Sequence, residues 1–290
     1  MIQLNTDKLL KQQIQQTIEA YNNKSAPELG NLSPNQVYKL IYLPWNDPDY
    51  PIKFNQQLKI SDVKHSTFLT NATTFLQTLL EMKDEDTATA KRNLNRKFVQ
   101  KVFDRLVLDA ETKADILRFN KVINEEDVMP LHIVRIVCED TKLIQCRKKK
   151  FLVTSKGREL VSEEKAGELY YELFDSYFRK FNIAYVDRLP DLDSVQGTIG
   201  YSFYRLSQVA DNFRKIGELF DEIFLSSVKK EIRKALPPLI EAEWLVESRI
   251  VSPLEKFGLL ECRYKHSKVY RELEKVRKTE LFDRFIRMDW

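Results

Sequence analysis

Residues 143–160 read LIQCRKKKFLVTSKGREL. Leu143-Ile144-Gln145-Cys146 and Phe151-Leu152-Val153-Thr154 are short β-prone runs, and Arg147-Lys148-Lys149-Lys150 lies between them. Two such runs joined by a polar turn predict a β-hairpin with a four-cation tip. Ser155-Lys156-Gly157-Arg158 closes the hairpin and starts a helix. Upstream, Phe68, Leu69, Phe75, Leu76, Leu79 and Leu80 predict a helix over 61–82, and Asp84-Glu85-Asp86 a turn. Thr87-Ala88-Thr89-Ala90 is predicted as one short strand. Asn93 or Asn95 then caps a helix striped by Phe98, Val102, Phe103 and Leu106, and a further helix runs over 125–140.

This order of helix, short strand, helix, helix, hairpin and Thr-x-x-Gly turn resembles a winged helix-turn-helix unit over residues 61–162. Farther upstream, Leu10, Ile14, Ile18 and Tyr21 mark an opening helix over 6–22. Ser33-Pro34-Asn35-Gln36 starts a second one as a capping box with proline in the first turn. The loop 45–51 follows, pinned to the body by Trp45 and Tyr50.

Downstream, Tyr170, Phe174, Tyr177, Phe178, Phe181 and Tyr185 recur at helical spacing, the stripe of a packed core. Helices are expected over 202–212 and 218–233, and Pro237-Pro238 marks a boundary. After it comes a helix over 239–257 bent at Pro253. A strand follows at 259–264, then a turn at 265–268 and a returning strand at 269–273. These make a second, abbreviated winged-helix-like end, closed by a helix over 280–287. The expected fold is therefore mainly α, a helical bundle with two winged-helix-like units bearing small β-hairpin wings. It divides into a helical lead and loop (1–60), a winged-helix-like unit (61–162), an aromatic-cored bundle (163–236) and the C-terminal end (237–290).

The segments AGELYYELFDSYFRKFNIAYVDRLPDL (166–192) and SPLEKFGLLECR with VRKTELFDRF (252–263, 276–285) carry a family resemblance. They are similar to a helical region of uncharacterised bacterial proteins, sometimes joined to a plasmid ORF-3-like domain or a zinc-binding SEC-C tail. The resemblance spans residues 30–290 and implies kinship without an activity or catalytic residues. No cysteine pair lies near the C-terminus, so it brings no zinc tail here.

Composition excludes several classes. The 290 residues are 43% hydrophobic and 31% charged, with 17 Phe and 12 Tyr, enough to fill real cores. No run nears the roughly 20 apolar residues of a membrane span, and MIQLNTDKLLKQQIQQ lacks a signal-peptide pattern. Three cysteines, Cys138, Cys146 and Cys262, make no disulfide framework, so the expected setting is the cytoplasm, away from membranes. Seven glycines form neither a P-loop nor a dinucleotide fingerprint. Cys262 and His266 are half of a zinc site without a second pair, and His132, among apolar neighbours, reads as a satisfied core histidine. No nucleophile elbow is present, and neither catalytic residues, a metal nor a cofactor is expected.

Binding remains. The net charge is only +4, yet residues 229–290 hold 15 Lys or Arg against 11 Asp or Glu, a surplus of 4. Lys91 to Arg105 adds six cations beside Asp104 alone. The helix 128–138 is apolar nearly all round and does not suit DNA reading. The cations Arg147, Lys148, Lys149 and Lys150 suit phosphate contact, though a hairpin tip also stays soluble through lysines. In the second unit Arg249, Arg263, Lys265, His266, Lys268 and Arg271 form the better nucleic-acid candidate, opposed by Glu241, Glu243, Glu247 and Glu255. The leading expectation is a non-enzymatic cytoplasmic protein whose winged-helix-like modules contact a partner protein, or a second copy, with DNA as an additional ligand. The alternative is a sequence-tolerant nucleic-acid-binding regulator acting through the wings, and the third an enzyme of unrecognised class.

Overall fold

The computed structural model describes residues 2–266 and 271–290, with side chains from residue 10 to 265 and from 272 onward. Side-chain oxygens set where several helices begin. After α1 (Ile2–Asn22) the chain turns, and Ser33 opens α2 (Pro34–Tyr42) as the expected capping box. The Gln36 amide donates to Ser33 Oγ at 3.3 Å and the Ser33 amide to Gln36 Oε1 at 2.8 Å. Trp45 and Tyr50, 8% and 0% exposed, hold the next loop down, and strand β1 (Ile52–Phe54) follows. The helix expected over 61–82 is instead two, α3 (Ile60–Val63) and α4 (Thr67–Glu81). Ser66 leaves helical geometry between them to accept the Leu69 amide at 3.1 Å.

Asn95 caps α5 (Arg96–Phe103), and Asp109 caps α6 (Ala110–Phe119), a helix the sequence reading omits. The expected 125–140 helix is a 3₁₀ turn (Glu125–Asp127) followed by α7 (Met129–Asp140), which has Pro130 in its first turn. In place of a strand at 87–90, Ala88 forms one bridge to Leu94. The hairpin is present. Strands β2 (Ile144–Arg147) and β3 (Lys150–Val153) pair from Ile144 opposite Val153 to Arg147 opposite Lys150. The tip is thus two residues instead of four. Lys148 and Lys149 have φ of 46° and 61°, the doubly left-handed turn that Asn-Gly adopts most cheaply. Thr154 accepts the Gly157 amide at 3.1 Å to start α8 (Ser155–Leu160). A Cβ on Gly157 would lie 2.3 Å from the Leu143 carbonyl oxygen, so helix and hairpin meet backbone to backbone.

Helix α9 (Ala166–Arg179) carries the aromatic stripe into the centre. Phe174 has six ring centroids within 5.8 Å, those of Trp45, Phe54, Phe178, Phe203, Phe257 and Phe285. Such pairs contribute about 0.5–1.5 kcal/mol each beyond burial. Tyr185 departs from the expected stripe, because α9 has ended and its ring is 54% exposed. Short α10 (Asp193–Gly197) and α11 (Ile199–Val209) lead to strand β4 (Arg214–Lys215), α12 (Ile216–Ile223) and α13 (Ser226–Ala235). The break between α12 and α13 at Phe224 and Leu225 divides the helix expected over 218–233.

The helical run after Pro237-Pro238 has three parts: α14 (Ala242–Val246), a π turn (Glu247–Val251) and α15 (Ser252–Lys256). The widened turn lies just before Pro253, whose missing N–H and bulky ring forbid a regular turn there. Strands β5 (Leu260–His266) and β6 (Arg271–Lys278) are longer than expected, and β4 joins them in a three-stranded antiparallel sheet of order β4–β6–β5. Helix α16 (Glu280–Phe285) and strand β7 (Ile286–Met288) follow, and β7 pairs with β1, Ile52 opposite Met288. The molecule is mainly helical with small antiparallel strand pairs. Buried side chains from Leu32 to Ile286 belong to one hydrophobic cluster shared by the four sequence stretches.

Candidate anion-binding groove

A groove of about 860 Å³ opens where the C-terminal ends of α4 and α7 meet the hairpin and the start of α8. Leu79, Leu80, Ile144 and Leu152 give it an apolar floor. Six cations line it, Lys83, Arg92, Lys142, Arg147, Lys156 and Arg158, against one acid, Glu139. That acid is already committed. It accepts Arg92 at 3.2 Å and also pairs with Arg135. Lys156 pairs with Glu172 at 2.8 Å. Lys83, Lys142, Arg147 and Arg158 have no acidic partner among the described residues, and nor do Lys148 and Lys149 beyond them at the turn.

The hairpin is held in place. The amides of Thr87 and Ala88 both donate to the Lys149 carbonyl, at 3.2 and 2.9 Å, and the Phe151 amide donates to Thr87 Oγ1 at 2.8 Å. Lys150 sends its ammonium to the Asp84 carbonyl at 2.7 Å. Of the four cations predicted at the tip, Arg147 therefore lines the groove, Lys148 and Lys149 are exposed at the turn, and Lys150 is spent on the 84–88 loop.

Behind the groove lies a polar network that sequence reasoning saw only at His132. Its Nδ1 is 2.7 Å from Glu125 Oε1 and its Nε2 3.0 Å from the Tyr185 hydroxyl, so it is the satisfied core histidine expected. Glu125 is 1% exposed and also pairs with Arg135 and the Leu94 amide. Burial pushes its carboxyl pKa up, but the hydrogen bonds from His132, Arg135 and Leu94 outweigh that and hold it below the ordinary value. The network fixes Arg135, which in turn fixes Glu139 at the groove wall. Helix α7 buries seven of its residues, including His132 and Arg135, and presents no polar face to read bases.

The second unit turns out differently from its sequence pattern. Arg249, expected on the surface of a contact helix, is 0% exposed. Its Nε and Nη2 donate to Asp187 at 2.8 and 3.1 Å, and Nη2 also reaches the Leu189 and Pro190 carbonyls. The Asp187 carboxyl, raised by burial, is pulled below its usual value chiefly by Arg249 and Ser248. Arg263 and Arg277 clasp the Phe213 ring, 3.7 and 4.6 Å from its centroid. Arg277 also pairs with Glu261, and Lys265 with Glu274 at 3.6 Å. His266 and Arg271 face each other at the end of the β5–β6 ladder, and Lys268 lies outside the described residues. Lys265, Lys275 and Arg277 thus meet acids of the same sheet, whereas Arg147, Lys148 and Lys149 of the first hairpin meet none among the described residues. Among the described residues no three His, Cys, Asp or Glu side chains gather as for a metal ion.

Every residue of the groove falls between Leu79 and Arg158. Residues 64–166 match the family model of the Y4jL N-terminal domain. That family has no characterised activity, and its match covers the helices, hairpin and groove together. No curated protein and no solved structure matches the chain. No described helix is long and apolar enough to cross a membrane.

Proposed function

We propose that this protein is a non-enzymatic binding protein whose 61–162 unit acts as a winged helix and holds a nucleic-acid backbone in the groove beside its wing. The observation that carries this reading is the set of four lining cations, Lys83, Lys142, Arg147 and Arg158, without acidic partners among the described residues. Uncompensated cations on one concave wall attract a polyanion, and a phosphate backbone supplies charge at the matching density. The turn lysines support it. A left-handed conformation costs a non-glycine residue roughly 1–2 kcal/mol, so two lysines occupy this turn against their conformational preference. The buried faces of α7 leave base edges unread, so recognition is of the backbone and tolerant of sequence. The three free cysteines suit a reducing cytoplasm.

The test is fluorescence anisotropy with a random duplex at low and then moderate salt. Replacing Lys83, Lys142, Arg147 and Arg158 by Ala flattens the slope of log K against log salt by up to about 3.6, at about 0.9 per lost phosphate contact. Replacing Arg263 and Lys265 changes it little. No binding at low salt, or an unchanged slope in the groove variant, refutes the proposal.

A second reading, contact with a protein partner or a second copy, rests on α1. Residues 10–21 are exposed all round, and Leu10, Ile14, Ile18 and Tyr21 are 55%, 51%, 47% and 72% exposed along one stripe. Apolar stripes on helices are ordinarily covered. Changing Leu10, Ile14 and Ile18 to Gln and measuring mass by light scattering tests it, with loss of an oligomer the supporting result.

A further inference from the structure

Helices α4 and α7 run from the groove to a second cavity at their other ends. It measures about 640 Å³ and lies between their first turns, the start of α6, the end of α15 and Tyr264 of β5. Phe68, Val107, Leu108, Pro130, Ile133 and Val134 make its wall apolar. Polar groups also line it, and several are bound up in holding the cavity's shape. The Asn71 side chain spans the Val107 backbone, donating to its carbonyl at 3.0 Å and accepting its amide at 2.8 Å. Asp109 caps α6 by accepting the Thr112 amide and hydroxyl. The Lys256 carbonyl accepts the hydroxyls of Ser66 and Thr67, which ties the end of α15 to the start of α4.

Other groups are left over. The hydroxyls of Tyr177 and Ser252 and the ammonium of Lys256 line the cavity with no hydrogen-bond partner among the described residues. Lys256 is exposed, and partial desolvation by its neighbours lowers its pKa against the pull of Glu255 and Asp109. Beside it Glu255 presents a carboxylate that accepts the Tyr264 hydroxyl at 2.6 Å. The cavity therefore carries both signs of charge and two spare hydroxyls next to an apolar wall. A purely anionic ligand meets Glu255 and Asp109, and a purely cationic one meets Lys256. A zwitterion with an apolar body satisfies both.

We infer that this cavity is a binding site for an apolar α-amino acid. Its carboxylate is received by Lys256, Tyr177 and Ser252, its ammonium by Glu255, and its side chain by the wall of Phe68, Ile133 and Val134. The site is separate from the groove and does not depend on the nucleic-acid reading.

Calorimetric titration of the full chain tests it, with L-phenylalanine and L-leucine as probes beside phenethylamine and 3-phenylpropionate, which lack the carboxylate and the amine. Saturable binding of at least one amino acid, with both single-charge analogues at least tenfold weaker, is expected. Lys256→Met and Glu255→Gln each weaken the amino acid tenfold or more, and Val134→Trp, which fills the cavity, abolishes binding. The groove variant Arg147→Ala leaves it unchanged. Circular dichroism and thermal denaturation establish that each cavity variant is folded, and Ser252→Ala, a minimal change, gives an intermediate loss. Absence of binding by both amino acids overturns the inference, as does equal binding of either analogue or affinity that survives both charge substitutions.

Discussion

Removing the Asp187 carboxylate leaves Arg249 as an uncompensated cation in the interior. Arg249 has five N–H donors, of which Asp187 takes Nε and shares Nη2, while Nη1 has no partner already. In Asp187→Ala only the Leu189 and Pro190 carbonyls remain, 3.2 and 2.8 Å from Nη2. Arg249 is 0% and the Asp187 side chain 7% exposed, so water cannot replace the lost partner without opening the core. Breaking a pair buried this deeply costs about 3–5 kcal/mol. At about 2–4 °C per kcal/mol the melting temperature falls by roughly 6–20 °C. Asp187→Ala with Arg249→Met removes both charges and fills the space, and it recovers most of the loss, since an apolar replacement of a buried pair is often near neutral. Urea and thermal denaturation followed by circular dichroism read both variants. A single variant within about 1 kcal/mol of the parent would refute the reasoning, and so would a double variant no more stable than the single one. Under the proposed function, the double variant binds duplex DNA as the parent does, because Arg249 does not reach the surface.

Further outcomes follow from other contacts. Gly157→Ala drives a methyl into the Leu143 carbonyl and costs about 1–3 kcal/mol in a urea midpoint shift at constant m. Lys148→Asn with Lys149→Gly relieves both left-handed residues and stabilises by about 1 kcal/mol or more in the same assay, while duplex binding weakens. Both Glu125 and Asp187 have carboxyl pKa values held below the ordinary range, so their contribution is complete only above about pH 5 and is lost as pH falls through their folded values. Denaturation midpoints therefore decline below that pH, and Glu125→Gln makes the decline shallower. Tyr185→Phe deprives His132 Nε2 of its partner and costs about 0.5–1.5 kcal/mol.

Local chemistry was legible in the sequence and distant pairing was not. Ser33 and Asn95 cap helices because a cap needs only an oxygen and an amide three residues away. Asp109 followed by Thr112 is the same signal at the start of α6. The hairpin at 143–154 was equally legible, but its tip length depends on register, which the cations did not reveal. Arg249 looked exposed because Glu247, Ser248 and Ser252 surround it in sequence. Its partner Asp187 lies 62 positions upstream, beyond any helical period. The groove was missed for the same reason. Only Arg147 stands in a run of cations, while Lys83, Lys142 and Arg158 are isolated in sequence and are gathered by the packing of α4, α7 and α8. The reversal between the two hairpins also depends on registry, since Glu261 and Glu274 neutralise cations on facing strands.

The β1–β7 pair has a bearing on how the chain comes to be folded at all. Asn55 donates its backbone amide to Phe285 and its side chain to Arg284 across 229 positions, and the Asp289 amide donates to Pro51. A strand waits for a partner synthesised about 229 positions later. Until residues 285–288 emerge, Phe54 lacks Phe285 and Ile52 lacks Met288 against which to close. The local helices and the first hairpin have no such wait, so folding during synthesis is expected to stop at a partly assembled species with an open aromatic face. The last step is then the closing of a very long loop, slow to find but costing little more than a loop of half its length. A chain stalled short of residue 286 would be the form most exposed to aggregation and most in need of a chaperone.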